Sequence, residues 1–116
     1  MTLKSLEIVI EEGIAIWKFN DEITFDNSNE LKEESKRILA NKDSNNLIID
    51  LSQVPYIDSS GIGFVFSLFK FMRNRGGTVV IANANEKIKK VFEITKMKKV
   101  IKIYDNLEDA IKQLGD

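Results

Sequence analysis

The residue types best suited to chemistry in this 116-residue chain are concentrated in one short run, Asp58-Ser59-Ser60-Gly61-Ile62-Gly63. A carboxylate is followed directly by two hydroxyls and then by two glycines. The run joins an apolar, strand-like segment to one rich in phenylalanine. A serine beside a carboxylate has three uses: it can attack a substrate, cap a helix, or accept a group delivered by another protein. Attack is poorly supported. The chain has no histidine and no cysteine, which removes histidine general bases, Ser-His-Asp triads, cysteine nucleophiles and zinc sites built from these side chains. Neither serine sits in a G-x-S-x-G elbow. Gly61-Ile62-Gly63 is half of a dinucleotide fingerprint, and the lysine-bearing phosphate loop is missing.

Capping explains part of the run. A helix begins at or just after it, and a serine there accepts from unpaired backbone N–H groups, a contribution of ~1 kcal/mol. One cap needs only one serine, so the second hydroxyl has no assigned task. The glycines permit close approach of another backbone or a phosphate. The helix N-terminus favours anions, and a phosphoryl group on a serine would add about −1.5 to −2 charges beside Asp58. Modification would reverse the local electrostatics without unfolding anything.

Other candidates are weaker. Asp21, Glu22 and Asp26 could ligate Mg²⁺, but a solvated loop accounts for them. Lys87, Lys89, Lys90, Lys96, Lys98, Lys99 and Lys102 make the C-terminal third basic, as solvent-facing lysines do. Trp17 reads as a sheet residue under a helix.

The elements that must position the serines are legible from periodicity. Residues 6–11 and 14–19 are short and β-branched, with Glu12-Gly13 between them, and predict a hairpin. Residues 26–41 predict a helix capped by Asp26 or Asn27. Residues 47–51 predict a buried central strand, and residues 60–74 a helix stopped by Gly76-Gly77. A strand at 78–82, a helix at 86–95, a strand at 100–104 and a helix at 107–114, with Asn106 as its cap, complete the chain. The order β-β-α-β-α-β-α-β-α predicts an α/β fold: one mixed sheet of about five strands with about four helices, in a single domain over residues 1–116.

The helix after the serines carries more apolar surface than a one-sided helix needs. At ~100° per residue, Ile62, Val65, Phe66, Phe69 and Met72 share one face, and Phe64, Leu68 and Phe71 form a second stripe. Together they span roughly 220°. Either the helix is buried between the sheet and another helix, or the second stripe is an exposed partner surface.

Composition narrows the function classes. Hydrophobic residues are 43% and charged residues 30% of the chain, and the net charge is −1. That balance gives no electrostatic case for nucleic acid or an anionic membrane as partner. The N-terminal residues are not patterned as a signal peptide, and no apolar run approaches the ~20 residues that cross a bilayer. A cytoplasmic protein is expected.

Residues 47–63, L-I-I-D-L-S-Q-V-P-Y-I-D-S-S-G-I-G, resemble the signature of the STAS domain of bacterial anti-sigma-factor antagonists: a buried strand, a short loop, then Asp-Ser-Ser/Thr-Gly-Leu/Ile-Gly opening a helix. The hairpin, the G-G-T-V-V-I-A strand and the Lys89-Lys90-Val91-Phe92 region fall where that family has them. The resemblance implies a non-enzymatic, STAS-like binding protein without cofactor or metal. It would bind an anti-sigma factor that is also a serine kinase, and so release a sigma factor. The kinase would phosphorylate Ser59 and a serine phosphatase would reverse this. Ser60 becomes the helix-start hydroxyl, with Asp58, Gly61 and Gly63 shaping the acceptor loop. Asp21, Glu22 and Thr24, with Ile62, Phe64, Leu68 and Phe71, become the expected partner-binding residues, and a monomer or weak dimer is expected. A STAS-like structural subunit of a transport or signalling complex is the alternative. The sequence departs from the family at Asp21-Glu22-Ile23-Thr24, where Gly-Glu/Asp-Leu/Ile-Asp is usual, so its first glycine and last aspartate are both replaced.

Overall fold

A computed structural model of the chain describes residues 6–40 and 45–115. The strands are β1 (Leu6–Glu11), β2 (Ile14–Phe19), β3 (Asn46–Asp50), β4 (Thr78–Ala82) and β5 (Ile103–Tyr104). The helices are α1 (Ser28–Ala40), α2 (Ser59–Asn74), α3 (Glu86–Ile94) and α4 (Leu107–Gly115), with a 3₁₀ turn at Met97–Lys99. The expected mixed sheet of five strands with four helices is the observed one.

The sheet runs in chain order, β1-β2-β3-β4-β5. β1 and β2 form an antiparallel hairpin with Glu11 opposite Ile14. Its two-residue turn holds Glu12 at φ 52° and Gly13 at φ 79°, the left-handed pair that a type I′ turn demands. The remaining pairs are parallel. Because the strand order never reverses, right-handed crossovers put every connecting helix on one face. α1, α2 and α3 cover that face, where Trp17, Phe19, Leu47, Ile49, Val79 and Ile81 join Leu31, Leu39, Leu68 and Phe92 in the larger core. The alternate residues, Ile14, Ile16, Ile48, Val80 and Ala82, form a second core closed by α4 through Ala110.

The boundaries differ from expectation where tertiary contacts intervene. α1 begins at Ser28, with Asn27 preceding it. The Asn27 side chain turns back to accept from the Thr24 N–H and donate to the Glu22 carbonyl, while its own carbonyl accepts from the Leu31 N–H. The expected helical residue Asn41 lies outside the described residues. The predicted strand over residues 100–104 is shortened to Ile103–Tyr104. Val100 and Ile101 close the 3₁₀ turn, both donating to the Met97 carbonyl, and Ile101 is fully buried. Its apolar character reflects a plug under the turn, not a strand. Asn106 acts as expected, accepting from the Asp109 N–H at 2.8 Å.

Candidate functional site

The site is built at the ends of β2 and β3, where two loops meet the start of α2. The loop after β2 touches the loop after β3 through a single parallel bridge, Ile23 to Ile57. The Ile23 N–H donates to the Tyr56 carbonyl at 3.1 Å, and the Asp58 N–H to the Ile23 carbonyl at 3.4 Å. Both isoleucines are completely buried. They fasten the loops to the core by apolar contact as well as by hydrogen bonds.

Asp58 links the loops to the helix. It is the N-cap of α2, with extended backbone at φ −100°, ψ −172°. Oδ1 accepts from the Gly61 N–H at 2.9 Å. Oδ2 accepts from the Phe25 N–H at 3.0 Å. One carboxylate therefore satisfies a helix-start donor and holds the neighbouring loop. This corrects the expectation that Ser60 is the capping hydroxyl. Serine and aspartate both cap well, but only the aspartate, one position before the first helical residue, can also reach Phe25. The helix accordingly begins at Ser59, one residue earlier than expected.

Both serines thus lie inside the first turn with their hydroxyls unused: among the described residues neither makes a side-chain hydrogen bond. They differ in setting. Ser59 is exposed and Ser60 is half-buried, lining a cleft of about 290 Å³ between α1 and α2 with Phe25, Lys32, Gly63 and Phe64.

The two glycines also differ. A Cβ on Gly61 would lie 2.2 Å from the Ile23 carbonyl oxygen and 2.8 Å from the Ile57 side chain. Its smallness serves the contact of helix and loop, which corrects the expectation that it admits an outside backbone or phosphate. Gly63 has open space around it and keeps that possibility.

Residues 5–110 match the family model described as the STAS domain. The chain belongs to the STAS domain family. A Thermotoga neapolitana protein assigned to the anti-sigma factor antagonists is 29% identical over 105 residues, covering 90% of this chain and 93% of that protein. The anti-sigma-B factor antagonist of Bacillus subtilis is 33% identical over 66 residues, 57% of this chain and 61% of its own. The crystal structure of a Thermotoga maritima protein with the same assignment as the first has a TM-score of 0.88 at 26% identity, covering 95% of this chain and 94% of that one.

Within this STAS fold the expected partner-binding residues separate into two groups. Ile62, Phe64 and Leu68 are 6%, 2% and 0% exposed and belong to the larger core. Phe64 sets its ring edge-on to Phe19 at 5.7 Å. Their assignment to a partner surface is corrected: α2 packs against the sheet and also against α1, and a helix covered on two sides must be apolar over a wide arc. Phe71 is half-buried, with the Arg75 guanidinium 5.4 Å from its ring centre. Asp21 and Glu22 are exposed and Thr24 half-buried, in the loop that Asp58 holds. Thr24 Oγ1 accepts from the Asp26 N–H.

Sequence reasoning missed Phe25 and Tyr56, which are 76% and 47% exposed beside the helix start. A large aromatic followed by Asp26 and Asn27 in a polar loop was the available signal for Phe25. Among the described residues no three Asp, Glu, His or Cys side chains converge as metal ligands would, so the geometry gives the Mg²⁺ alternative for Asp21, Glu22 and Asp26 no support. Nor is any helix among them long and apolar enough to cross a membrane.

Proposed function

We propose that this STAS protein is an anti-sigma-factor antagonist switched by phosphorylation at Ser59. Unphosphorylated, it binds an anti-sigma factor that is also a serine kinase, and thereby releases a sigma factor. Phosphorylation weakens the complex, and a serine phosphatase restores it. The protein itself is a binding module and a substrate, not an enzyme. The observation that carries the reading is the exposure of Ser59 on a first turn whose capping is already supplied by Asp58. A hydroxyl relieved of structural duty is open to another protein's active site.

The partner surface in this reading comprises Asp21, Glu22 and Thr24, together with the exposed rings of Phe25 and Tyr56 and the open backbone at Gly63. A phosphoryl group on Ser59 would place about two further negative charges beside Asp58. On docking, that charge must lose water without a compensating cation in the loop, and binding suffers.

The test incubates the protein with ATP and the serine kinases encoded near its gene, followed by mass spectrometry of the product. One phosphoryl group on Ser59 is expected, none on Ser59→Ala, and wild-type behaviour for Ser60→Ala. Ser59→Asp should weaken binding to the kinase at least tenfold, while Ser59→Ala binds as the unmodified protein does. Phosphate on Ser60, or equal affinity of the two Ser59 variants, overturns the reading.

A further inference from the structure

The two edges of the sheet are treated differently. β5 exposes only two residues, Ile103–Tyr104, between Lys102 and Asp105. Short strands and flanking charges are the usual protection of an open edge. β1 has six residues, Leu6-Glu7-Ile8-Val9-Ile10-Glu11, and no described residue pairs with its outer side. Ile8, Val9 and Ile10 are 37%, 51% and 57% exposed. A strand of this length and character, left unpaired, is a template for another strand.

Backbone geometry says which residues offer the pairing. The two-residue turn makes Glu11 and Ile14 the closing hydrogen-bonded pair. Alternation along an antiparallel ladder then directs the N–H and C=O of Glu7, Val9 and Glu11 toward β2, and those of Leu6, Ile8 and Ile10 outward. Three consecutive outward positions, all apolar, can accept one added strand.

We infer that the occupant is β1 of a second copy of this chain, paired antiparallel about a two-fold axis at Ile8. Only outward positions can bond to outward positions, so the permitted registers differ by two residues. With Ile8 opposite Ile8 of the second copy, Leu6 faces Ile10 and Ile10 faces Leu6, forming an apolar ladder on the face that carries the larger core. On the other face Glu7 meets Val9 of the second copy. Shifting one way sets Glu7 against Glu7, and shifting the other way sets Glu7 against Glu11. Like charges directly opposite are unfavourable, so charge selects the central register among those that pair several residues. The contact is isologous, so it closes on itself and builds no fibre. The antiparallel arrangement puts the two Ser59 sites at opposite ends of the joined sheet. The inference involves neither serine and stands or falls apart from the proposed function.

A strand contact of five residues, Leu6 to Ile10, is small, and the dimer should be weak, with Kd on the order of 10–100 µM. Sedimentation equilibrium across that range tests it. Wild type should show a reversible monomer–dimer equilibrium. Val9→Glu, which opposes Glu7 twice in this register, should weaken the dimer at least tenfold. Val9→Lys, which gains two opposite-charge pairs, should keep or tighten it. Because the chain has no cysteine, Ile8→Cys adds a clean reporter. Directly paired Cα atoms lie about 5.5 Å apart, within disulfide reach, so it should cross-link under mild oxidation. Ile10→Cys should not, since its own copy would be about 14 Å away along the strands. Circular dichroism on each variant separates loss of pairing from loss of fold. A monomer at millimolar concentration overturns the inference. So do a folded Val9→Glu variant that dimerises as wild type does, Val9→Lys weakening the dimer, and Ile8→Cys failing to cross-link or Ile10→Cys cross-linking as readily.

Discussion

The first turn of α2 and the remainder of the same helix follow opposite rules. From Ser59 to Gly63 every residue but the buried Ile62 is small or polar, in a turn that is held in place by Asp58 and leaves its hydroxyls unbonded. From Phe64 onward nearly every apolar side chain has an internal use. Phe64, Val65, Leu68 and Met72 are buried in the core. The half-buried rings outside it are covered by the helix's own cations: Phe66 and Phe69 stack at 6.2 Å, with Lys70 5.4 Å from the centre of the first and Arg73 5.9 Å from the second. The abundance of phenylalanine is therefore no sign of a docking face. In the proposed function, recognition belongs to one end of the helix, and the other end supports it.

That division can be broken by mutation. The largest effect is expected in the supporting part. Leu68→Ala removes a fully buried side chain and should cost about 3–5 kcal/mol of unfolding free energy, measured by urea denaturation. A loss below ~1 kcal/mol would mean that the second stripe is not core. Asp58→Ala should cost about 2 kcal/mol, because a charged acceptor of two backbone N–H groups is lost. Asp58→Asn should recover only part of it, since its one amide oxygen can cap Gly61 while its NH2 group cannot accept from the Phe25 N–H. Equal losses in both would point to the charge and not to the cap. The smallest effect belongs to the cations over the rings. Arg73→Ala should change stability by about 0.5 kcal/mol or less, and it should leave the affinity for the Ser59 partner unchanged. A large loss of that affinity would move recognition down the helix.

Strong periodicity made most of the architecture readable in advance. The bounds of β1, β2 and β4 were expected as observed, because β-branched runs between turn residues have few alternatives. The D-S-S-G-I-G run located the candidate site for the same reason that it carries the family resemblance. What could not be read depended on contacts between distant segments. Asp58 and Ser60 are both competent caps, and the choice was made by the N–H of Phe25, thirty-three residues away in sequence. Gly61 looked like an opening to the outside, yet it is required by the Ile23 carbonyl. The apolar pair Val100-Ile101 looked like strand, because burial under a turn leaves the same composition as burial in a sheet. The double stripe on α2 could be core or interface until α1 was seen to cover it.

The bridge between Ile23 and Ile57 bears on how Ser59 would be read by an enzyme. It is an isolated parallel bridge beyond the paired ends of β2 and β3, and both of its side chains are fully buried, so the loop before Ser59 is anchored in the core. Such a loop opens only when the core opens. A kinase acting on Ser59 would therefore have to recognise a three-dimensional epitope assembled from two loops and a helix start, not a linear consensus. A synthetic peptide spanning residues 54–66 should be a far poorer substrate than the folded chain, at least a hundredfold by kcat/KM, since it must supply that shape from a disordered ensemble.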